Sequence, residues 1–265
     1  MDKKSTSFKY GRKVLFLNAS SAIIRSVIPE LVSHEFDVCH IPSMSAAKEV
    51  LAHFPGVILI VNLDDSSDTG SMIQFINSLG DDGSIETPTI CVMYRGLDFD
   101  IGSFSEKASF TGGAIQIKDT ANSLEPIITT LNSLNAKGMR KFVRTDCTND
   151  KDAILLAIVN NKLYNLKCSD ISLAGTACTV DEKFAEAFPP KTLINNITIT
   201  LGRRTVNWPM IVAGASPAGD TMKLVLMFVS GISATTEKTI HDYIMQSQQK
   251  QIDNICTLAE AVRTT

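Results

Sequence analysis

Through its first half the chain alternates between two hydrophobic periods. Val14 to Leu17 is a short apolar run bounded by polar residues and predicts a strand. Over Ala22 to His34, Ile23, Ile24, Val27, Ile28 and Leu31 recur on one helical face. Phe36 to Ile41 reads as a second strand. Ser45 to Phe54 reads as a helix with Ala46, Val50 and Leu51 apolar, and Ser43 or Ser45 as its cap. Val57 to Val61 is continuously apolar, as suits a central parallel strand covered on both faces. Met72 to Leu79 reads as a helix and Thr89 to Met93 as a strand. Residues 97–110 carry no clean period. Ala114 to Ile117 reads as a strand, and Leu124 to Leu134 as a helix with Leu124, Ile127, Ile128, Leu131 and Leu134 in phase. That order is (βα)₅, which implies a flavodoxin-like parallel sheet with helices on both faces and right-handed connections.

The pattern changes after Gly138, whose tolerance of left-handed backbone suits it to end the last helix. Short strands separated by turn residues follow: Ile154 to Val159, an Asn160-Asn161 turn, Lys162 to Cys168, Thr192 to Leu201, Trp208 to Ala213 and Met222 to Val229. Such spacing predicts a small antiparallel β-barrel. Thr236 to Gln251 predicts a terminal α-helix through Ile240, Tyr243 and Ile244, with Ile252 a further candidate for its apolar face. The expected domains are therefore 1–136 and 137–265.

Composition adds constraints. The chain has 265 residues, enough for one or two domains with cores of their own, and is 44% hydrophobic and 20% charged. The net charge of −3 does not favour non-specific binding of nucleic acid. Six dispersed cysteines contain no C-x-x-C and no zinc-finger spacing, so reduced thiols in a cytoplasmic protein are expected. Residues 1–10 are polar and lysine-bearing, without the apolar core of a signal peptide. Val57 to Val61, like every other apolar run in the sequence, falls far short of the roughly 20 residues that span a bilayer. Four histidines are scattered, and the one Cys-His pair, Cys39-His40, lies in a strand where neighbours face opposite ways. No metal site is expected. No nucleophile–base pairing and no glycine-rich phosphate loop is found, so catalysis is not expected.

Two motifs carry the chemistry. Arg140-Lys141-Phe142-Val143-Arg144 is an R-x-x-x-R just after the domain junction. Asp170-Ile171-Ser172-Leu173-Ala174-Gly175 is a D-x-S-x-x-G at the end of the second barrel strand. A guanidinium can bond a phosphate or the O6/N7 edge of guanine in bidentate fashion, and can stack on a purine. The Asp170 carboxylate can accept from guanine N1–H and N2–H₂. The Ser172 hydroxyl can donate, and Gly175 permits close backbone approach or positive φ. The inventory suits a guanine-containing phosphodiester. Taken singly, the first motif is also what a solvated basic face looks like, and the second what a turn looks like, with Asp170 or Ser172 bonding its own backbone.

In their order, with 25 residues between Arg144 and Asp170, and in a barrel pattern, the motifs make the chain resemble the PilZ family over about Met139 to Gln251. The resemblance implies a receptor for cyclic di-GMP. Arg140 and Arg144 would grip guanine and phosphate; Asp170, Ser172 and Gly175 would complete the site. Both signatures are complete, unlike those of the family's non-binding members.

The first half resembles, at the level of fold, the receiver domain of response regulators. Its chemistry departs from that pattern. Leu17-Asn18-Ala19-Ser20 stands where a receiver holds its acidic Mg²⁺ ligands, and Asn62 where the phosphoacceptor aspartate belongs. Met93 or Tyr94 replaces the switch hydroxyl, and Lys118 alone is retained. An amide cannot form an acyl phosphate. Asp64 and Asp65 are expected in the following loop, and this half is expected to be a pseudo-receiver used for contact or dimerisation, with Asp64 the acceptor a phosphorylated alternative would use.

Among the remaining features, the cluster Asp146, Asp150 and Asp152 is expected in a solvated loop. Arg203-Arg204 is expected at a strand end, and Trp208 on the barrel. The expected whole is a two-domain bacterial signalling receptor in which dinucleotide binding orders the junction, reorients the domains and alters contact with a downstream protein. Whether it forms a homodimer is left open. The alternatives are an adaptor whose barrel does not bind nucleotide, and a dinucleotide-regulated transcription factor.

Overall fold

The computed structural model describes residues 9–64, 68–81, 83, 85–96, 99–119 and 122–263. Asp65 lies outside them. By contact the chain divides into two compact units, 1–141 with 248–265, and 142–247. The dividing point follows Lys141, and the last part of the terminal helix belongs with the first unit.

In the first unit five strands, β1 (Val14–Leu17), β2 (Val38–Ile41), β3 (Ile58–Asn62), β4 (Thr89–Arg95) and β5 (Gly113–Ile117), form one parallel sheet in the order β2-β1-β3-β4-β5. Helices α1 (Ile28–Ser33), α2 (Met44–His53), α3 (Thr69–Asp81), α4 (Ile101–Lys107) and α5 (Leu124–Ser133) alternate with the strands. This is the (βα)₅ flavodoxin-like order. All residues of β1 and β3 are buried, which is why both read as unbroken apolar runs. The amphipathic stretch before α1 opens with a π-helical turn, Ile23–Val27. Ser43 rather than Ser45 caps α2, its hydroxyl accepting from Ala46 N at 3.4 Å. Residues 97–110, which show no period, contain the short α4, capped by Asp100 accepting from Ser103 N at 3.0 Å. A chain of tilted rings, Tyr94, Phe99, Phe104 and Phe110, packs there.

In the second unit nine strands make one curled antiparallel sheet. They are β6 (Arg144–Asp146), β7 (Ala153–Val159), β8 (Lys162–Ser172), β9 (Gly175–Asp181), β10 (Leu193–Ile194), β11 (Asn196–Leu201), β12 (Arg204–Asn207), β13 (Met210–Ala218) and β14 (Thr221–Phe228). The order is β10-β13-β14-β9-β8-β7-β11-β12, with β6 paired to β8. Strand β10 also lies against β7, so the sheet curls back on itself. Its inner face is filled by Leu155, Ala157, Leu166, Cys178, Ile197, Val212, Leu224 and Leu226, all buried. The β7–β8 hairpin turns on Asn160 and Asn161, both left-handed at φ 50° and 59°. A two-residue turn that matches strand twist requires that conformation, and asparagine tolerates it. The predicted strand Thr192 to Leu201 is split into β10 and β11, and β9 had no counterpart among the predicted strands.

The terminal helix α6 (Ala234–Arg263) is longer than its apolar period predicts. Within the second unit, Ile240 and Ile244 are buried, Tyr243 OH donates to Asp150 Oδ2 at 2.7 Å, and Arg204 Nη1 meets Asp242 Oδ2 at 2.5 Å. Asp150 is therefore a helix anchor rather than a solvated loop residue, and Arg204 has an acidic partner. Within the first unit, Ile252 and Cys256 join the core. The Gln249 amide makes two bonds to the His40 backbone, both 3.0 Å, and so satisfies part of the open edge of β2. Among the described residues no helix is long and apolar enough to cross a membrane.

Candidate functional site

The D-x-S-x-x-G motif is a hairpin. Ser172 ends β8, Gly175 begins β9, the two are paired, and Leu173-Ala174 is the turn. The Ser172 hydroxyl serves that turn: it accepts from Ala174 N at 3.3 Å and donates to Gly175 O at 3.4 Å, and the residue is buried. Gly175 has φ 150°, and a Cβ built on it would stand 2.0 Å from the Leu226 carbonyl oxygen and 2.9 Å from Met227 Cα. Its close approach is to the backbone of β14.

A register shift between Cys168 and Asp170 decides which way the motif faces. In a regular strand Cys168, Asp170 and Ser172 would share one face. The extra residue, Ser169, reverses the alternation, so Cys168 and Ile171 both point inward and are buried, while Asp170 and Ser172 turn outward. The Ser169 carbonyl is satisfied from outside the β8–β9 ladder by Cys147 N at 2.8 Å.

Strand β6 lies against this outward turn. Arg144 is directly opposite Ser172, Thr145 opposite Ile171, and Asp146 opposite Asp170. Directly opposed residues share a face, so Arg144, Asp146, Asp170 and Ser172 stand together on the outside. Thr145 is buried, its hydroxyl donating to Ser247 Oγ at 3.0 Å. The hydroxyl and amide of Thr148 hold the Asp146 carboxyl below its usual range, the amide at 2.7 Å. Two carboxylates, Asp146 and Asp170, thus oppose each other beside one guanidinium.

Of the five residues singled out in the sequence, the structure brings together Arg144, Asp170, Ser172 and Gly175. Arg140 belongs by contact to the first unit, where its guanidinium lies over the Tyr10 ring at 5.1 Å and its amide donates to Lys137 O at 3.3 Å. Asp146 was read only as part of an acidic loop; its spacing of two from Arg144 was the signal that it shares a strand face. The same face offers acceptors for N–H groups at Asp170 and Asp146 and a cation for an anion at Arg144.

Two hollows open elsewhere on the second unit. One of about 720 Å³ includes Lys162, Tyr164, Lys167, Asp181 and Phe184. Another of about 520 Å³ includes Thr148, Lys151, Ile154 and Lys167. Neither contains a motif residue.

In the first unit, Asn18 and Asn62 form an amide clasp. Asn62 Nδ2 donates to Asn18 O at 3.0 Å and Asn18 Nδ2 donates to Asn62 O at 3.1 Å, tying the ends of β1 and β3. Asp64 accepts from Arg95 N at 2.5 Å and pairs with its guanidinium at 3.4 Å. Among the described residues no group of three or more His, Cys, Asp or Glu is placed to hold a metal ion.

No family model matches the chain, and no curated protein does. Among solved structures it is similar to the PilZ domain of YcgR from Escherichia coli with c-di-GMP, at 14% identity and TM-score 0.37, over 43% of this chain and 93% of that one. It is similar to YcgR from Escherichia coli in complex with c-di-GMP, at 15% identity and TM-score 0.39, over 45% of this chain and 50% of that one. It is also similar to the Bacillus subtilis inhibitor of motility MotI/DgrA, at 20% identity and TM-score 0.35, over 42% of this chain and 52% of that one. The chain spans about half the length of these last two.

Proposed function

We propose that the protein is a receptor for cyclic di-GMP, a signalling protein and not an enzyme. The observation that carries this reading is the outward face made by the bulge at Ser169: Arg144, Asp170 and Ser172 are aligned in one register. Arg144 bonds a phosphate or the O6/N7 edge of guanine, and Asp170 accepts from N1–H and N2–H₂. Ser172 and Gly175 keep the hairpin beneath them in shape. Arg140, on the junction segment, supplies the second guanidinium once ligand is bound. Contact with the ligand in addition to its stack on Tyr10 gives the segment different contacts with and without ligand, as a switch requires. The resulting change between domains is passed to a downstream protein in the cytoplasm. The first unit acts by contact, as a pseudo-receiver; an amide such as Asn62, bonded to the Asn18 carbonyl, forms no acyl phosphate.

A second reading, an adaptor that binds no nucleotide, draws on the same hairpin. Ser172 and Gly175 already have structural work, so the fold would keep both without a ligand. Arg144 and Asp170 separate the readings. The test is isothermal titration of the full chain with cyclic di-GMP, GTP and cyclic di-AMP, alongside Arg140→Ala and Arg144→Ala. Selective binding of cyclic di-GMP, weakened about ten- to a hundredfold by Arg144→Ala, is expected from losing a charged hydrogen bond. A folded wild type that binds none of the three nucleotides refutes the receptor reading.

A further inference from the structure

The D-x-S-x-x-G hairpin occupies one end of β8 and β9. The hollow of about 720 Å³ opens at the other end, where Lys162 begins β8 and Asp181 ends β9. Its size falls within the roughly 300–1,000 Å³ of sites that hold a ligand. Its walls have two characters. One is aromatic: Phe184 meets Tyr164 edge to face at 5.5 Å, and Tyr164 meets the buried Phe188 at 5.1 Å. Phe184 is still 41% exposed. The other is cationic. Lys162 and Lys167 line the hollow, and among the described residues neither pairs with a carboxylate. Lys223 adds a third cation nearby, opposite Thr179, which is opposite Lys167. Among the described residues the one carboxylate in the lining is Asp181, and Lys183 already holds it at 3.1 Å.

The apolar surface does not stop at the rim. Leu163, 66% exposed, is part of the lining, and Ile158, 47% exposed, is directly opposite it on β7. Exposed apolar residues scattered singly are ordinary. These two adjoin each other and the aromatic wall, and contiguous apolar surface rimmed by polar groups marks an interaction site.

We propose that this hollow and the adjoining hairpin dock an acidic peptide segment of a partner protein. An apolar or aromatic side chain of the segment enters beside Phe184 and Tyr164, and its flanking carboxylates meet Lys162 and Lys167. Charge complementarity selects an acidic partner, because the lining carries cations without matching anions. The run of apolar surface out to Ile158 selects an extended segment over a compact small molecule. The site stands apart from the receptor reading: it contains no motif residue and needs no nucleotide.

The experiment is isothermal titration of the full chain with the acetylated peptide Glu-Asp-Phe-Glu-Asp and two counterparts, Gln-Asn-Phe-Gln-Asn and Glu-Asp-Ser-Glu-Asp. The first peptide binds saturably below about 1 mM. Each counterpart binds at least about fivefold more weakly, and added salt weakens the first. Lys162→Glu with Lys167→Glu weakens it by about tenfold, and so does Phe184→Ser. Arg203→Glu, which reverses an exposed cation outside the hollow, binds as wild type does. Circular dichroism and thermal melting verify folding of each. No saturable binding by wild type overturns the proposal, as does equal binding of the three peptides or equal binding by the folded variants. Light scattering of the chain alone tests a second copy as the occupant: a dimer that Leu163→Glu dissociates also overturns it.

Discussion

Gly175→Ala tests the geometry of the hairpin. Its Cβ would sit 2.0 Å from the Leu226 carbonyl oxygen and 2.9 Å from Met227 Cα, against a φ of 150°. The obstacle is backbone, and β14 is paired on both sides, with β9 and β13, so it cannot swing aside alone. Overpacking of this kind costs about 1–3 kcal/mol, and a strained backbone conformation about 1–3 kcal/mol more. The sum, about 2–6 kcal/mol, is a large part of the roughly 5–15 kcal/mol that stabilises a domain. Urea unfolding of the full chain, followed by circular dichroism, reads it directly. With a slope of about 2 kcal/mol/M, the midpoint falls by about 1–3 M. Arg144→Ala, whose side chain is exposed, leaves the midpoint near wild type. Loss of ligand binding in the glycine variant is then a folding effect, and loss in the arginine variant a contact effect. A Gly175→Ala midpoint within about 0.3 M of wild type refutes the close approach of β14.

Two further outcomes follow from the first unit. Asn62→Ala removes the donor to the Asn18 carbonyl in a fully buried clasp and destabilises by about 1–3 kcal/mol in thermal unfolding; an unchanged melting temperature would show that the clasp contributes nothing. Burial pushes the Cys39 and Cys91 thiols up to about 12. The unfolded chain releases these protons at about 8.5 and the folded chain holds them, so stability is full below about pH 8.5 and falls as pH rises toward the folded values, by about 1.4 kcal/mol per pH unit per thiol. Melting temperatures recorded from neutral to alkaline pH, with Cys39→Ala giving a shallower fall, check this; a level profile contradicts it.

Much of the architecture is local and so was legible along the chain. β1 and β3 announce burial on both faces by lacking polar positions, and Asn160-Asn161 announces a hairpin because few residues accept left-handed backbone twice in succession. The (βα)₅ order follows from such signals. What escaped depends on partners distant in sequence. Strand β9 was hidden because its first residues were read as part of a motif, and its pairing with β14 is visible only in the fold. Helix α6 runs on past Gln251, and only packing reveals that Cys256 reaches a core together with Ile252.

The candidate site divides along the same line. The sequence determined its chemistry, two arginines, a carboxylate, a hydroxyl and a glycine, because residue types are all that such chemistry requires. The tertiary structure decided which of them meet. Spacing places Arg140 and Arg144 as equals, yet contact assigns them to different units. Period-two alternation would put Asp170 on the face of the buried Cys168, and the bulge at Ser169 turns it outward to join Arg144. Side-chain direction in a sheet is set by ladder register, and register is set by strands remote in sequence, so no local pattern could have specified it.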